Sequence, residues 1–297
     1  MRRAQCNWSA ATEAAHRAQG IAWDADLAER YLEALNAEAN ILSARGRFGE
    51  ARPILERVVT GTTDPRLRGI ALQNLGTILA QSGQRGAAER SFAESLGNFH
   101  KAGYERGECI ALNNLGRLAL DGGDTARAQP LLERAFRLAR RLEDLDLAAL
   151  AGLNLGWSLC QSGDLDRAQD HAMEALGHFS GCENRWREIE CFRLIGDINA
   201  RCEDYANAER CYDIALTYAE QIDCAPEARA TRERLDALKR AKARAVGKPD
   251  PMPAAGTADF PGPIPQTAVP QEPDAEPLLM PPPVDSGGGT SPTAGLS

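Results

Sequence analysis

The 297-residue chain is poor in large rings: seven Phe, five Tyr and four Trp make up 5% of it. A core with so few aromatics has to be assembled from many Ala and Leu contacts, which suits helices packed on helices. Histidine is scarcer still, at four residues. None of His16, His100, His171 and His178 lies in a nucleophile motif, and the chain has no Walker loop, GxGxxG or HExxH sequence. The sequence therefore gives catalysis no support, and neither a cofactor nor a metal site is expected. His171 and His178, seven apart on one helix, read as a surface pair.

Long apolar runs are absent as well. A membrane-spanning helix needs about 18–20 consecutive apolar residues, and the best stretch, Leu147–Leu159, is broken by Asn154. The start, Met1-Arg2-Arg3-Ala4-Gln5-Cys6, is charged but has no apolar run behind it, so a cytoplasmic protein is expected. Eight cysteines are present and none is in CxxC spacing, which points to small buried thiols in a reducing compartment. The net charge of −8 argues against general affinity for nucleic acid or for an anionic membrane. Much of that charge is at one end: from Gly247 to Ser297 there are six acids and one base.

What the chain does have is a period. Leu75-Gly76, Leu115-Gly116, Leu155-Gly156 and Ile195-Gly196 follow one another at steps of 40 residues, and an alanine stands twelve positions after each glycine, at Ala88, Ala128, Ala168 and Ala208. Each period reads as two helices. Glu105–Leu120 has apolar residues at helical spacing, Gly122-Gly123-Asp124 stops it, and a second helix runs from Thr125 to Arg141. In such a turn glycine supplies the left-handed backbone, and the aspartate can cap the next helix. Ser82-Gly83-Gln84 and Ser162-Gly163-Asp164 repeat the punctuation, Glu203-Asp204 does so without the glycine, and Gly46-Arg47 marks an earlier unit.

The sequence thus predicts an all-α solenoid of five helical hairpins over residues 26–222. A short helix at Ser9–Gln19 is expected to precede them, as half of a degenerate repeat. A basic capping helix over 223–246 follows, with Leu235 and Leu238 on its inner side, since a stack of repeats leaves its last apolar face uncovered. Thirteen of the seventeen prolines lie in 247–297, and this segment is expected to be disordered.

The Leu-Gly pair, with Ala at +12, Phe92, Leu132, Ala172 or Tyr212 at +16, and Ser95, Ala135, Ala175 or Ala215 at +19, resembles the tetratricopeptide repeat. The 40-residue step and the Ala71–Gly76 and Ala111–Gly116 segments are similar to those of a long-repeat subclass. That subclass includes the Pins/LGN-type adaptors and the repeat tails of bacterial signalling regulators. The resemblance implies a right-handed superhelix whose concave groove, lined by the first helix of each hairpin, binds an extended segment of a protein partner. The glycine and alanines are expected at close helix crossings, with the +16 residue filling the gap between adjacent hairpins.

Counted from each glycine, the inward positions supply candidate groove residues: Asn36, Asn40, Asn74, Asn114, Arg117, Asn154, Trp157, Arg193, Asp197 and Arg201. Asn74, Asn114 and Asn154 recur at one site per repeat. An amide both donates and accepts, so such a column can pair with the main chain of a peptide, a use the resemblance implies. The alternative is local hydrogen bonding within the stack. Trp157 reads equally as a peptide anchor or as packing between repeats. Arg117, Arg193 and Arg201 can clamp carboxylates, either those of a partner or those of the acidic tail folded back as an autoinhibitor. Asp121, Asp197 and Glu190 can instead neutralise them. A second functional class is a ligand- or peptide-sensing module acting on a transcription or signalling partner.

Overall fold

The computed structural model describes residues 8–25 and 27–245. The tail expected to be disordered lies outside them. Among the described residues there are twelve helices and no strand: α1 (Trp8–Asp24), α2 (Ala28–Ala44), α3 (Phe48–Gly61), α4 (Pro65–Gln81), α5 (Arg85–Lys101), α6 (Glu105–Asp121), α7 (Thr125–Arg141), α8 (Leu145–Ser162), α9 (Leu165–Gly181), α10 (Arg185–Arg201), α11 (Tyr205–Gln221) and α12 (Ala225–Ala245). Each helix packs on its neighbour in the chain, and α2, α4, α6, α8, α10 and α12 also touch in succession. The architecture is an all-α repeat solenoid with the even-numbered helices in one layer. No helix is long and apolar enough to cross a membrane.

The regularity comes from the turns. From residue 83 to residue 223 a left-handed residue occurs every twenty positions: Gly83, Gly103, Gly123, Glu143, Gly163, Glu183, Glu203 and Asp223, with φ between 55° and 92°. Seventeen-residue helices and three-residue turns produce this interval, and α8 is one residue longer. Only half of these positions hold glycine, so the loss of glycine at Glu203 leaves the turn geometry intact at a cost in strain. Asp64, Asp124, Asp144, Asp164, Asn184 and Asp204 then accept a backbone N–H from the first turn of the helix that follows. Such a cap contributes about 1 kcal/mol.

Close crossings explain the repeat glycines. A Cβ at Gly76 would sit 2.6 Å from the Phe92 ring, one at Gly116 2.6 Å from Leu132, and one at Gly196 2.4 Å from Tyr212. The +16 residue therefore packs across its own hairpin onto the glycine, rather than between hairpins. The fourth repeat departs from this. Its +16 residue is the small Ala172, and the space beside Gly156 is filled by Leu194 of the next hairpin.

Both ends differ in detail from expectation. The first helix extends to Asp24, because Ala15 and Ala22 sit seven apart on one buried face while Gln19 and His16 reach Glu38 of α2. In the basic capping helix, Leu235 and Leu238 are buried as predicted, but so is Arg234, which is 0% exposed. Cys109, Cys160, Cys191 and Cys224 are buried, Cys211 is half-buried, and Cys182 and Cys202 are exposed. Burial pushes the Cys109 and Cys160 thiols up to about 12, which leaves them inert.

Candidate functional site: an inner face open at one end and closed at the other

The ten sequence-chosen residues do line one layer, on α2, α4, α6, α8 and α10, but they meet two different environments. Over the first three hairpins part of the inner row is half-buried and part is buried. Asn74 donates from Nδ2 to Asn40 Oδ1 at 2.5 Å and, at the limit of bonding, to Asn36 Oδ1 at 3.4 Å. Asn36 is buried, whereas Asn40, Asn74, Thr77, Gln81 and Asn114 are partly accessible. The side-chain amide of Asn114 makes no hydrogen bond within the described residues. Beside this row the Oε1 atoms of Gln73 and Gln81 are shielded and have no partner. Acceptors left in that state are costly.

The fourth and fifth hairpins are closed. Every residue of α8 from Ala151 to Cys160 is buried. Asn154, 3% exposed, donates to Asn113 Oδ1 at 2.9 Å and accepts from Arg117 Nη1 at 3.0 Å. Arg117 also binds Asp121 at 2.8 Å and comes within 3.7 Å of Glu190, two hairpins away. Glu190 is held in turn by Arg187 at 2.7 Å. Arg193 pairs with Glu227 of α12. Asp197 accepts from Tyr212 Oη at 2.6 Å and from Arg234 Nε at 3.0 Å. The Arg234 guanidinium lies 5.5 Å from the centre of the Trp157 ring. Arg201, exposed over much of its surface, donates to the carbonyl of Cys160 at 2.5 Å.

Titration follows this network. Burial alone would raise Glu190, but Arg187, Arg117 and Arg193 outweigh it and hold the carboxyl below its ordinary 4.5. Burial raises Asp121 against the pull of Arg117, and it lowers Arg193 against the pull of Glu227. The Tyr212 hydroxyl is driven far up, first by burial and then by the Asp197 charge beside it.

Asn154 belongs with the local-bonding alternative, because both halves of its amide are taken inside the stack. Trp157, at 3% exposure, is packing and not an accessible anchor. Arg117 and Arg193 already hold carboxylate partners, and Asp197 holds Tyr212 and Arg234, so neither Arg117 nor Arg193 is free for a further carboxylate. The partners Glu227, Tyr212 and Arg234 escaped sequence reading. One signal was present: 34 to 41 residues separate Asn40 from Asn74, Arg117 from Asn154, Asn113 from Asn154, Arg193 from Glu227 and Asp197 from Arg234. That separation joins the inner faces of successive even-numbered helices.

With this geometry in hand, the likeness to known proteins can be placed on the fold. Residues 107–179, from the first turn of α6 almost to the end of α9, match the tetratricopeptide repeat family model. The regulatory protein AfsR of Streptomyces griseus is 26% identical over 230 residues, which is 67% of this chain and 24% of that protein. The chain thus spans about a quarter of the length of that curated relative. The crystal structure of BtubC (BKLC) from P. vanneervenii superposes with a TM-score of 0.57 at 19% identity, covering 85% of this chain and 98% of BtubC. YrrB, described as a TPR protein with an unusual peptide-binding site, gives a TM-score of 0.43 at 17% identity over 67% of this chain and 91% of YrrB. The chain is a helical-repeat protein that shares its fold with BtubC.

Proposed function

We propose that the chain is a non-catalytic interaction scaffold that holds an extended segment of a partner protein on the inner face of its first three hairpins. The observation that carries this reading is the unspent hydrogen-bonding capacity there. The Asn114 side-chain amide makes no hydrogen bond among the described residues, the Asn74 carbonyl oxygen accepts none, and both side chains are partly accessible. Amides at one-repeat intervals match the alternating donors and acceptors of an extended main chain. The same arrangement is implied by the resemblance of the Asn-Leu-Gly motif to that of the Pins/LGN-type adaptors. Asn40, Asn74 and Asn114 belong to this surface, with the buried Asn36 bonded behind Asn74. Asn154, Arg117, Trp157, Arg193 and Asp197 instead hold the curvature of the scaffold, and Arg201 ties α10 to α8.

Selection of binding peptides from a random displayed library on the intact protein tests the proposal. Alanine at Asn114 removes a donor and an acceptor, and alanine at Asn74 removes an acceptor together with the bonds that hold Asn40 and Asn36, at about 0.5–1.5 kcal/mol for each bond. The selected peptides should therefore bind roughly tenfold more weakly to either variant. Unaltered affinity in both, with the fold intact, would remove the amide row from the account. A second reading, a sensing module in a regulatory system, draws on the match to AfsR. It uses the same surface and differs in what the bound segment controls.

A further inference from the structure

Away from the inner face, among the described residues, one trio of potential ligand atoms converges: a carboxylate oxygen of Asp146, Nε2 of His178 and Sγ of Cys182, all within 4.8 Å of one another. The fold brings them together at the open end of the fourth hairpin. Asp146 stands in the first turn of α8, His178 in the last turn of α9, and Cys182 at the C-cap four residues on. Four residues is one helical turn, so the imidazole and the thiol project from the same side. The C-cap is fixed by a bond from the Cys182 N–H to the His178 carbonyl at 3.1 Å, and the imidazole packs edge-on to Phe179 at 5.4 Å.

We infer that Asp146, His178 and Cys182 form a three-ligand site for a single zinc-class divalent ion, with the fourth coordination position left to water. The donor set selects the metal. An imidazole and a thiolate with one carboxylate suit a borderline ion such as Zn²⁺ and do not suit Mg²⁺ or Ca²⁺, which take oxygen ligands. The spacing is close to what such an ion needs. Tetrahedral zinc bonds of about 2.0–2.3 Å place the N and S ligands about 3.6 Å apart and the N and O ligands about 3.4 Å apart. The imidazole and thiol are 3.8 Å apart as they stand. The imidazole and carboxylate are 2.7 Å apart in a direct contact. Asp146 is 78% exposed at its side chain and free to withdraw by the fraction of an ångström required.

Metal entry replaces the His178–Asp146 contact by bonds to the ion. The Cys182 S–H bond breaks, its proton goes to solvent, and the thiolate takes the place of one water on the metal. His171, seven residues before His178, takes no part: its ring lies edge-on to Phe136 at 4.9 Å, and burial lowers its pKa.

The test uses the untagged, reduced full-length chain with zinc chloride or cobalt chloride alone, in competition with a chromophoric chelator. One equivalent should bind, more tightly as pH rises because the thiol must ionise. Cobalt should give a thiolate-to-metal charge-transfer band. Cys182→Ser should abolish the band, His178→Gln should weaken binding at least tenfold, and Cys202→Ser, at another exposed thiol, should leave both unchanged. Zinc should also raise the melting temperature of the wild type but not of Cys182→Ser. Absence of the band in the wild type would overturn the assignment, as would its survival in a Cys182→Ser protein with an unaltered helical spectrum.

Discussion

Asp197 is the point at which the closed half of the solenoid is most vulnerable. Its carboxylate accepts from Tyr212 and from Arg234, and both partners are 0% exposed. Asp197→Asn changes no volume, but it removes the charge opposite Arg234 and leaves one oxygen where two donors converge. Breaking a buried ion pair by removing one partner costs about 3–5 kcal/mol. The asparagine oxygen can still accept from the Tyr212 hydroxyl, so the loss is set by Arg234. Urea unfolding followed by circular dichroism should lose about 3–5 kcal/mol, with α10–α12 exchanging their amide protons first, since repeats couple mainly to their neighbours. Adding Arg234→Met, which withdraws the cation as well, should recover much of the loss. A loss below about 1 kcal/mol in the single variant would refute the reasoning, because it is the value expected of a solvent-screened surface pair.

Other consequences of the structure are equally direct. Gly196→Ala forces a Cβ to 2.4 Å from a Tyr212 ring that is itself pinned by Asp197, and should cost about 1–3 kcal/mol. Gly177→Ala, with nothing within 4 Å on an exposed helix face, should stabilise by about 0.5–1 kcal/mol, and paired thermal melts compare the two. Glycine at the left-handed positions Glu143 or Glu203 should raise the melting temperature by a few degrees, since relief of about 1–2 kcal/mol of backbone strain exceeds the added unfolded-state entropy. Glu190 is held below its ordinary 4.5 in the folded chain, so its stabilisation is present above that pH and is lost as pH falls through the folded value. Glu190→Gln should therefore be less stable than wild type at neutral pH, with the gap narrowing in acid denaturation.

The fold was legible because its grammar is local. A glycine every 40 residues, a stop inside each hairpin and, in most of them, an aspartate where the second helix begins are statements about neighbouring backbone, and they place α6 and α7 within a residue. The candidate site was legible only in part. Periodicity says which residues of α4, α6, α8 and α10 face inward, and all ten chosen residues lie on that layer. It does not say how tightly the layer curls. Arg117 comes within reach of Glu190 two hairpins away, and Arg234 lies against Trp157 across α10. Those distances depend on small packing choices, such as Ala172 where other repeats carry a ring or a leucine, with Leu194 moving into the space beside Gly156. Asn74 and Asn154 occupy the same position in their repeats, yet Asn74 lines the open half and Asn154 is enclosed.

The central claim is that the inner face receives a partner at its amino-terminal half and is shut at its carboxy-terminal half. A selected peptide carrying a photo-reactive residue, bound to the intact chain and mapped by mass spectrometry, tests it most directly. Crosslinks should fall on α2, α4 and α6, around Asn40, Asn74 and Asn114. Crosslinks concentrated on α10 and α12, around Arg193 and Arg234, would contradict the account.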